Sequence, residues 1–169
     1  RDVAGHGGVC LVGAAGWGTS TLRGCINRLG AFDHGRILLA GVDIADPSFG
    51  RNGLSKRVGI VFQSFNLFPH KTVLDNITLA PRRVHGVARD EAEARAHDLL
   101  ARLDLAGFER SYPTQLSGGQ QQRVPIVRAR ATNPDVLLLD AVTAAPDTAP
   151  TGCAVAVERA LPGQQNRVP

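Results

Sequence analysis

The sequence contains no methionine, one tryptophan and one tyrosine, and aromatic residues make up 5% of it. A core built from it rests on Val, Leu, Ile and Ala. Methionine is missing even at position 1, so the sequence reads as a piece of a longer reading frame. Its three cysteines, Cys10, Cys25 and Cys153, are odd in number and far apart, and none belongs to a C-x-x-C pair. That argues against a disulfide framework or a cysteine zinc site, and for a reducing compartment. Long apolar runs are missing too. Val136 to Leu139 and Cys153 to Val157 fall far short of the roughly 18 residues a membrane span needs. The apolar stretch Val9 to Ala15 is broken by Gly13 and lacks the flanks of a signal peptide. The net charge of +4 is spread along the chain, with no run of five like charges, so nucleic acid is not an expected partner.

What is present suits one globular domain: 169 residues, 43% hydrophobic and 20% charged, without internal repeats. Val9-Cys-Leu-Val12 is a short apolar run bounded by glycines and reads as a buried parallel strand. A glycine-rich turn, Gly13 to Gly18, leads into a helix over about Ser20 to Leu29. Arg36 to Leu39 and Val58 to Phe62 are further strand candidates, and Val136 to Leu139 reads as the last buried strand. Ala92, Ala96, Leu99, Leu100 and Leu103 recur at helical spacing, which predicts an amphipathic helix over Ala88 to Leu105. Another helix is expected from Ser117. Strands alternating with helices imply an α/β domain with a parallel core sheet. The expected division is a core of residues 1–80 and 132–169, with a helical subdomain inserted over about 81–131.

Gly13-Ala-Ala-Gly-Trp-Gly-Thr-Ser20 lies where a phosphate-binding loop belongs, between the first strand and its helix. Glycines there let successive backbone N–H groups turn inward and cradle an anion at a helix N-terminus. Gly13, Gly16 and Gly18 meet that demand, and Ser20 stands where a hydroxyl would ligate Mg²⁺. The G-x-x-x-x-G-K-[ST] pattern wants lysine after its second glycine, and the chain has Thr19. Taken alone, the segment is equally well a glycine-rich turn.

Three later features add to it. Leu116-Ser-Gly-Gly-Gln-Gln-Gln-Arg123 is a rare string, Asp140 ends the apolar strand Val136 to Leu139, and Gln63 follows the strand Val58 to Phe62. An Asp at the tip of such a strand is where a Mg²⁺-nucleotide is held in this kind of fold. In this order the elements resemble the ATP-binding cassette (ABC) proteins, above all the ATP-binding subunits of polar amino-acid importers. Cys25 to Arg28, Val61 to His70, Thr72 to Pro81 and Tyr112 to Gln120 extend the resemblance over about residues 7 to 160.

The resemblance implies a P-loop NTPase fold that binds ATP and Mg²⁺. Gly13, Gly16, Gly18, Thr19, Ser20 and Thr21 would form the phosphate loop. Gln63 would be the Q-loop glutamine, touching metal and water on a loop that faces the membrane subunits. Asp140 would be the Walker B aspartate and Asp147 the D-loop aspartate. Ser20, Gln63 and Asp140 would hold the metal, and Gln63 and Asp140 would serve the chemistry. Ser117, Gly118, Gly119 and Gln120 would be the signature motif, which meets the γ-phosphate of ATP carried by a second ATP-binding subunit; the serine is equally a helix N-cap. The implied setting is a head-to-tail dimer with membrane permease subunits, peripheral on the cytoplasmic face.

The chain departs from the family pattern at chemical positions. Thr19 replaces the phosphate-contacting lysine, Ala141 stands at the base position after Asp140, and no histidine follows His97, so the switch histidine and its strand are missing. The usual start with its adenine-stacking aromatic is also missing. Ala141 to Asp147 has lost the family's Glu-Pro and gained Pro146. Losing a charged hydrogen bond worth roughly 1.5 to 3 kcal/mol weakens binding about tenfold to a hundredfold. Losing a general base costs on the order of 10²- to 10⁴-fold in rate. Own-site hydrolysis is therefore expected to be impaired. The alternatives are a non-catalytic partner subunit that lends only its signature, or a degenerate remnant. Pro125, about eight residues into the signature helix, is expected to kink it.

Overall fold

The computed structural model describes residues 8–13, 18–49, 53–62, 64–140 and 153–158. In chain order, β1 (Gly8–Gly13) leads to α1 (Thr19–Ile26), then to a two-stranded hairpin, β2 (Leu38–Leu39) and β3 (Val42–Asp43). α2 (Gly53–Arg57) runs straight into β4 (Val58–Val61). Three helices follow: α3 (Val73–Val84), α4 (Arg89–Arg102) and α5 (Gly118–Ala131). β5 (Val136–Asp140) and β6 (Cys153–Glu158) complete the described chain. No helix among the described residues is long and apolar enough to cross a membrane.

The main sheet has the order β1-β6-β5-β4. β4 and β5 are parallel, and β6 is antiparallel to both of its neighbours. β1, β5 and β4 therefore run in one direction with β6 inserted against them, and the α/β architecture stands. Two expectations need correction. Val136 to Leu139 is not the last strand, because β6 follows it. A strand beyond Asp140 is therefore present, although it carries no histidine. Alternating Ala and Val in Cys153–Glu158 gave a weak strand signal, since alanine favours strands little.

β4 and β5 are covered on both faces, which is why their sequences read as continuous apolar runs. On one face Val58, Ile60, Val136 and Leu138 pack with Ile26 of α1, Leu39, Ile44, Phe49 and Leu54. On the other, Val61, Leu137 and Leu139 meet Ile126 and Ala129 of α5. Gly59 makes that second contact possible. A Cβ there would lie 3.0 Å from both Leu137 Cδ1 and Pro134 Cγ and 3.3 Å from the Ala129 carbonyl oxygen. At the start of both strands Asp135 N–H donates to the Arg57 carbonyl at 2.7 Å, while the two side chains form an ion pair.

The helical layer has a core of its own. Val73, Ile77, Ala96, Leu100, Leu105, Leu116, Val124, Val127 and Ala131 form one buried cluster. The expected division at residue 81 falls inside α3, which begins at Val73. Thr72 caps it, its Oγ1 accepting from Asp75 N–H at 3.1 Å. α5 runs unbroken through Pro125, which is buried within it. β2 pairs with β3 through Ala40 and Gly41, both at positive φ (50° and 81°), the backbone of a tight two-residue hairpin turn.

Candidate nucleotide-binding site

The described site residues fall into two groups. The first lies at one edge of the main sheet. Gly13 ends β1 and Asp140 ends β5. Through Val155, Asp140 is level with Leu11, two residues before the end of β1, and the two strands lie roughly 10 Å apart, two strand spacings. β4 ends at the same edge, since Val61 pairs with Leu139. Phe62, the residue before Gln63, lies beneath the Arg23 guanidinium of α1, 5.8 Å from its ring centre. Carboxyl ends of strands gathered beside a helix start form the usual ligand crevice of an open α/β sheet.

Gly18 is the N-cap of α1, held at φ 83° and ψ 12°, a left-handed conformation that glycine adopts without strain. No side chain caps this helix, and its first turn holds no acidic residue. Its first backbone hydrogen bond is Leu22 N–H to the Gly18 carbonyl at 2.8 Å. The N–H groups of Thr19, Ser20 and Thr21 precede that bond and carry the positive end of the helix dipole. Such a donor set fits a phosphate. Ser20, near the start of α1, and Asp140, at the end of β5, are residue types with the hard oxygens that Mg²⁺ takes. Gly16, Gln63, Ala141 and Asp147 lie outside the described residues.

The second group stands at the start of α5. Ser117 is the N-cap in a reciprocal capping box: Gln120 N–H donates to Ser117 Oγ at 3.4 Å, and Ser117 N–H donates to Gln120 Oε1 at 2.9 Å. Gln121 N–H makes the first intrahelical bond, to the Ser117 carbonyl at 2.8 Å. Gly118 and Gly119 N–H precede it, and no backbone acceptor takes them among the described residues. Nothing lies within 4 Å of the Cβ position of either glycine, so a ligand atom has room to approach. No acidic residue occupies this first turn. Ser117 Oγ is already an acceptor, which leaves its proton to donate outward. Two open amides and a hydroxyl at a helix N-terminus form an anion cradle.

Arg123 steadies this end of the helix. Its Nη1 donates to the Leu103 carbonyl at 2.8 Å and its Nε to the Gly119 carbonyl at 3.3 Å. Sequence reasoning missed Asn76, which is buried. Its Oδ1 accepts from Phe68 N–H at 2.8 Å, and its Nδ2 donates to the carbonyls of Phe68, Lys71 and Thr72. A polar residue on the buried stripe of α3 was the available signal. Arg128, between buried Val127 and Ala129 of α5, carries the same signal without naming its partners.

Strand ends gathered beside a helix start are the architecture of a P-loop type α/β domain. The sequence profile described as "ABC transporter" matches residues 5–144. The chain belongs to the ABC transporter family. It is similar to the glutamine transport ATP-binding protein GlnQ of Escherichia coli (strain K12), at 44% identity over 82% of this chain and 58% of that protein. It is also similar to the glutamate transport ATP-binding protein GluA of Corynebacterium glutamicum, at 48% identity over 82% of this chain and 57% of that one. Among solved structures, the dimeric bacterial ABC transporter cassette MJ0796 superimposes with a TM-score of 0.63 at 35% identity, covering 77% of this chain and 58% of that one. The same cassette with bound ADP and Pi also superimposes with a TM-score of 0.63, at 36% identity, covering 78% of this chain and 59% of that one. The chain thus spans a little over half the length of these relatives.

Proposed function

We propose that this chain works as the ATP-binding subunit of an ABC importer for polar amino acids, and that it completes a partner's ATP site better than it runs its own. The carrying observation is the start of α5, where Gly118 and Gly119 N–H stand open beside the Ser117 hydroxyl. These groups would meet the γ-phosphate of ATP held by a second ATP-binding subunit in a head-to-tail dimer. Glutamine and glutamate transport by the relatives supports the solute class. The proposed location is the cytoplasmic face of a membrane, beside permease subunits.

In the chain's own site, the N–H groups at the start of α1 would hold the phosphates of ATP. Ser20, Gln63 and Asp140 would hold Mg²⁺, which supplies charge neutralisation during phosphoryl transfer. Thr19 cannot provide the lysine's cation, and Ala141 cannot position or deprotonate water. Each loss alone nearly silences a slow ATPase, so the site retains weak binding and no efficient hydrolysis.

The experiment mixes the chain with an ABC subunit whose phosphate loop and catalytic glutamate are intact, and compares it with its Ser117→Arg variant. The bulky cation should block the cradle and lower Mg²⁺-dependent phosphate release. Equal rates from the two mixtures would overturn the proposal.

A further inference from the structure

The helix that bears the anion cradle also holds a cation that phosphate chemistry does not use. Arg128 lies on α5 between buried Val127 and buried Ala129. Its Nη1 donates to the Asn66 carbonyl at 2.7 Å, and its Nη2 reaches the Phe65 carbonyl at 3.5 Å. Among the described residues no carboxylate pairs with it. Burial pulls its pKa below the ordinary value, although a guanidinium stays charged throughout the working range. A partly desolvated cation answered only by main-chain dipoles holds those carbonyls firmly.

The segment it holds has few other ties. Ser64 to Leu67 belong to no helix or strand, and no backbone–backbone hydrogen bond involves them among the described residues. Asn66 sits at φ 45°, a left-handed conformation that costs an L-residue energy even when it is asparagine. Leu67 rests against the helical core, and Asn76 fixes the chain again at Phe68. Among the described residues between β4 and that point, Arg128 is the polar tether.

We propose that Arg128 is a positioning residue, whose planar fork ties Ser64–Leu67 to the helix that begins at Ser117–Gln120. The two ends of this link are eleven residues apart on one helix, about 16 Å. A helix moves as a unit, so a displacement at its N-terminus carries the Asn66 carbonyl with it. The functional half of this link rests on the signature reading given above; the tether itself does not.

Limited proteolysis of the full chain by chymotrypsin tests both halves. Cleavage after Phe65 and Leu67 reports the tethered segment, and cleavage after exposed Phe32, far from that segment in sequence, serves as the control. Arg128→Gln should speed cleavage at the first two sites about tenfold and leave Phe32 unchanged. Arg128→Lys, which can reach one carbonyl, should fall between. Unchanged cleavage at Phe65 and Leu67, or equal acceleration at Phe32, would overturn the proposal. In a mixture with an intact ABC subunit and a non-hydrolysable ATP analogue, nucleotide should slow cleavage after Phe65 and Leu67 in the unmodified chain and not in Arg128→Gln. Equal protection of both would overturn the link between cradle and segment. Protection of neither, with the first result standing, would overturn the signature reading and keep the tether.

Discussion

In the helical layer, nine buried side chains close around one another, and the anion cradle at its edge is made of main-chain amides and a capping box. At the sheet edge, where β1, β4 and β5 end, the expected chemistry rests on individual side chains, and two of those positions hold Thr19 and Ala141. The two regions share one family pattern and differ in how they deliver function. A cradle built from backbone persists as long as its helix folds. A lysine or a glutamate can be lost while the surrounding strand and helix survive. Fold and signature geometry can therefore outlast the catalytic side chains.

The largest expected effect breaks the helical side of this comparison. Leu100 is fully buried in the cluster of α3, α4 and α5. Leu100→Ala should cost about 2 to 5 kcal/mol, read as a lowered urea midpoint. It should also abolish support of a partner's hydrolysis, because the cradle depends on that core. Next comes the seam between the regions. Gly59→Val would press new atoms into Leu137, Pro134 and the Ala129 carbonyl, and should cost roughly 1 to 3 kcal/mol by overpacking, seen as a lower melting temperature. Smaller again is the cap. Ser117→Ala should cost about 1 kcal/mol of stability, measured by denaturant titration. It also removes a hydroxyl donor from the cradle.

The smallest effect concerns pH. Burial first, then the positive charges of Lys56 and Arg95, hold the His85 imidazole below its ordinary 6.5. Folding then favours the neutral ring. Above 6.5 both folded and unfolded chains are neutral there, and this stability is fully present. As pH falls, the unfolded chain protonates first, and stability is lost down through the depressed folded value. His85→Gln should flatten that part of a stability–pH profile, with little change above pH 7.

Much of the helical layer was legible in the sequence. Leucines and alanines at helical spacing marked α4, and Ser117, read as an N-cap, marked the start of α5. α3 is not among the expected helices, and Pro81, where the helical subdomain is expected to begin, lies inside it. Thr72-x-x-Asp75, a cap signal, was passed over. The β2–β3 hairpin was not legible, since Ala40 takes a left-handed position where Asn or Gly is the usual signal. β6 was missed because Ala and Cys carry little strand preference. At the site, glycine spacing pointed to the cap at Gly18. Nothing in spacing alone announces that Arg128 answers carbonyls more than sixty residues away.

The most direct test counts nucleotides hydrolysed in a single turnover by a one-to-one pair of this chain and an intact ABC subunit. One ATP hydrolysed per pair is the predicted result, fired in the partner's site and completed by Ser117–Gln120 of this chain. Two per pair would show that the site with Thr19 and Ala141 is active, and none would show that the cradle on α5 completes nothing; either count contradicts the account.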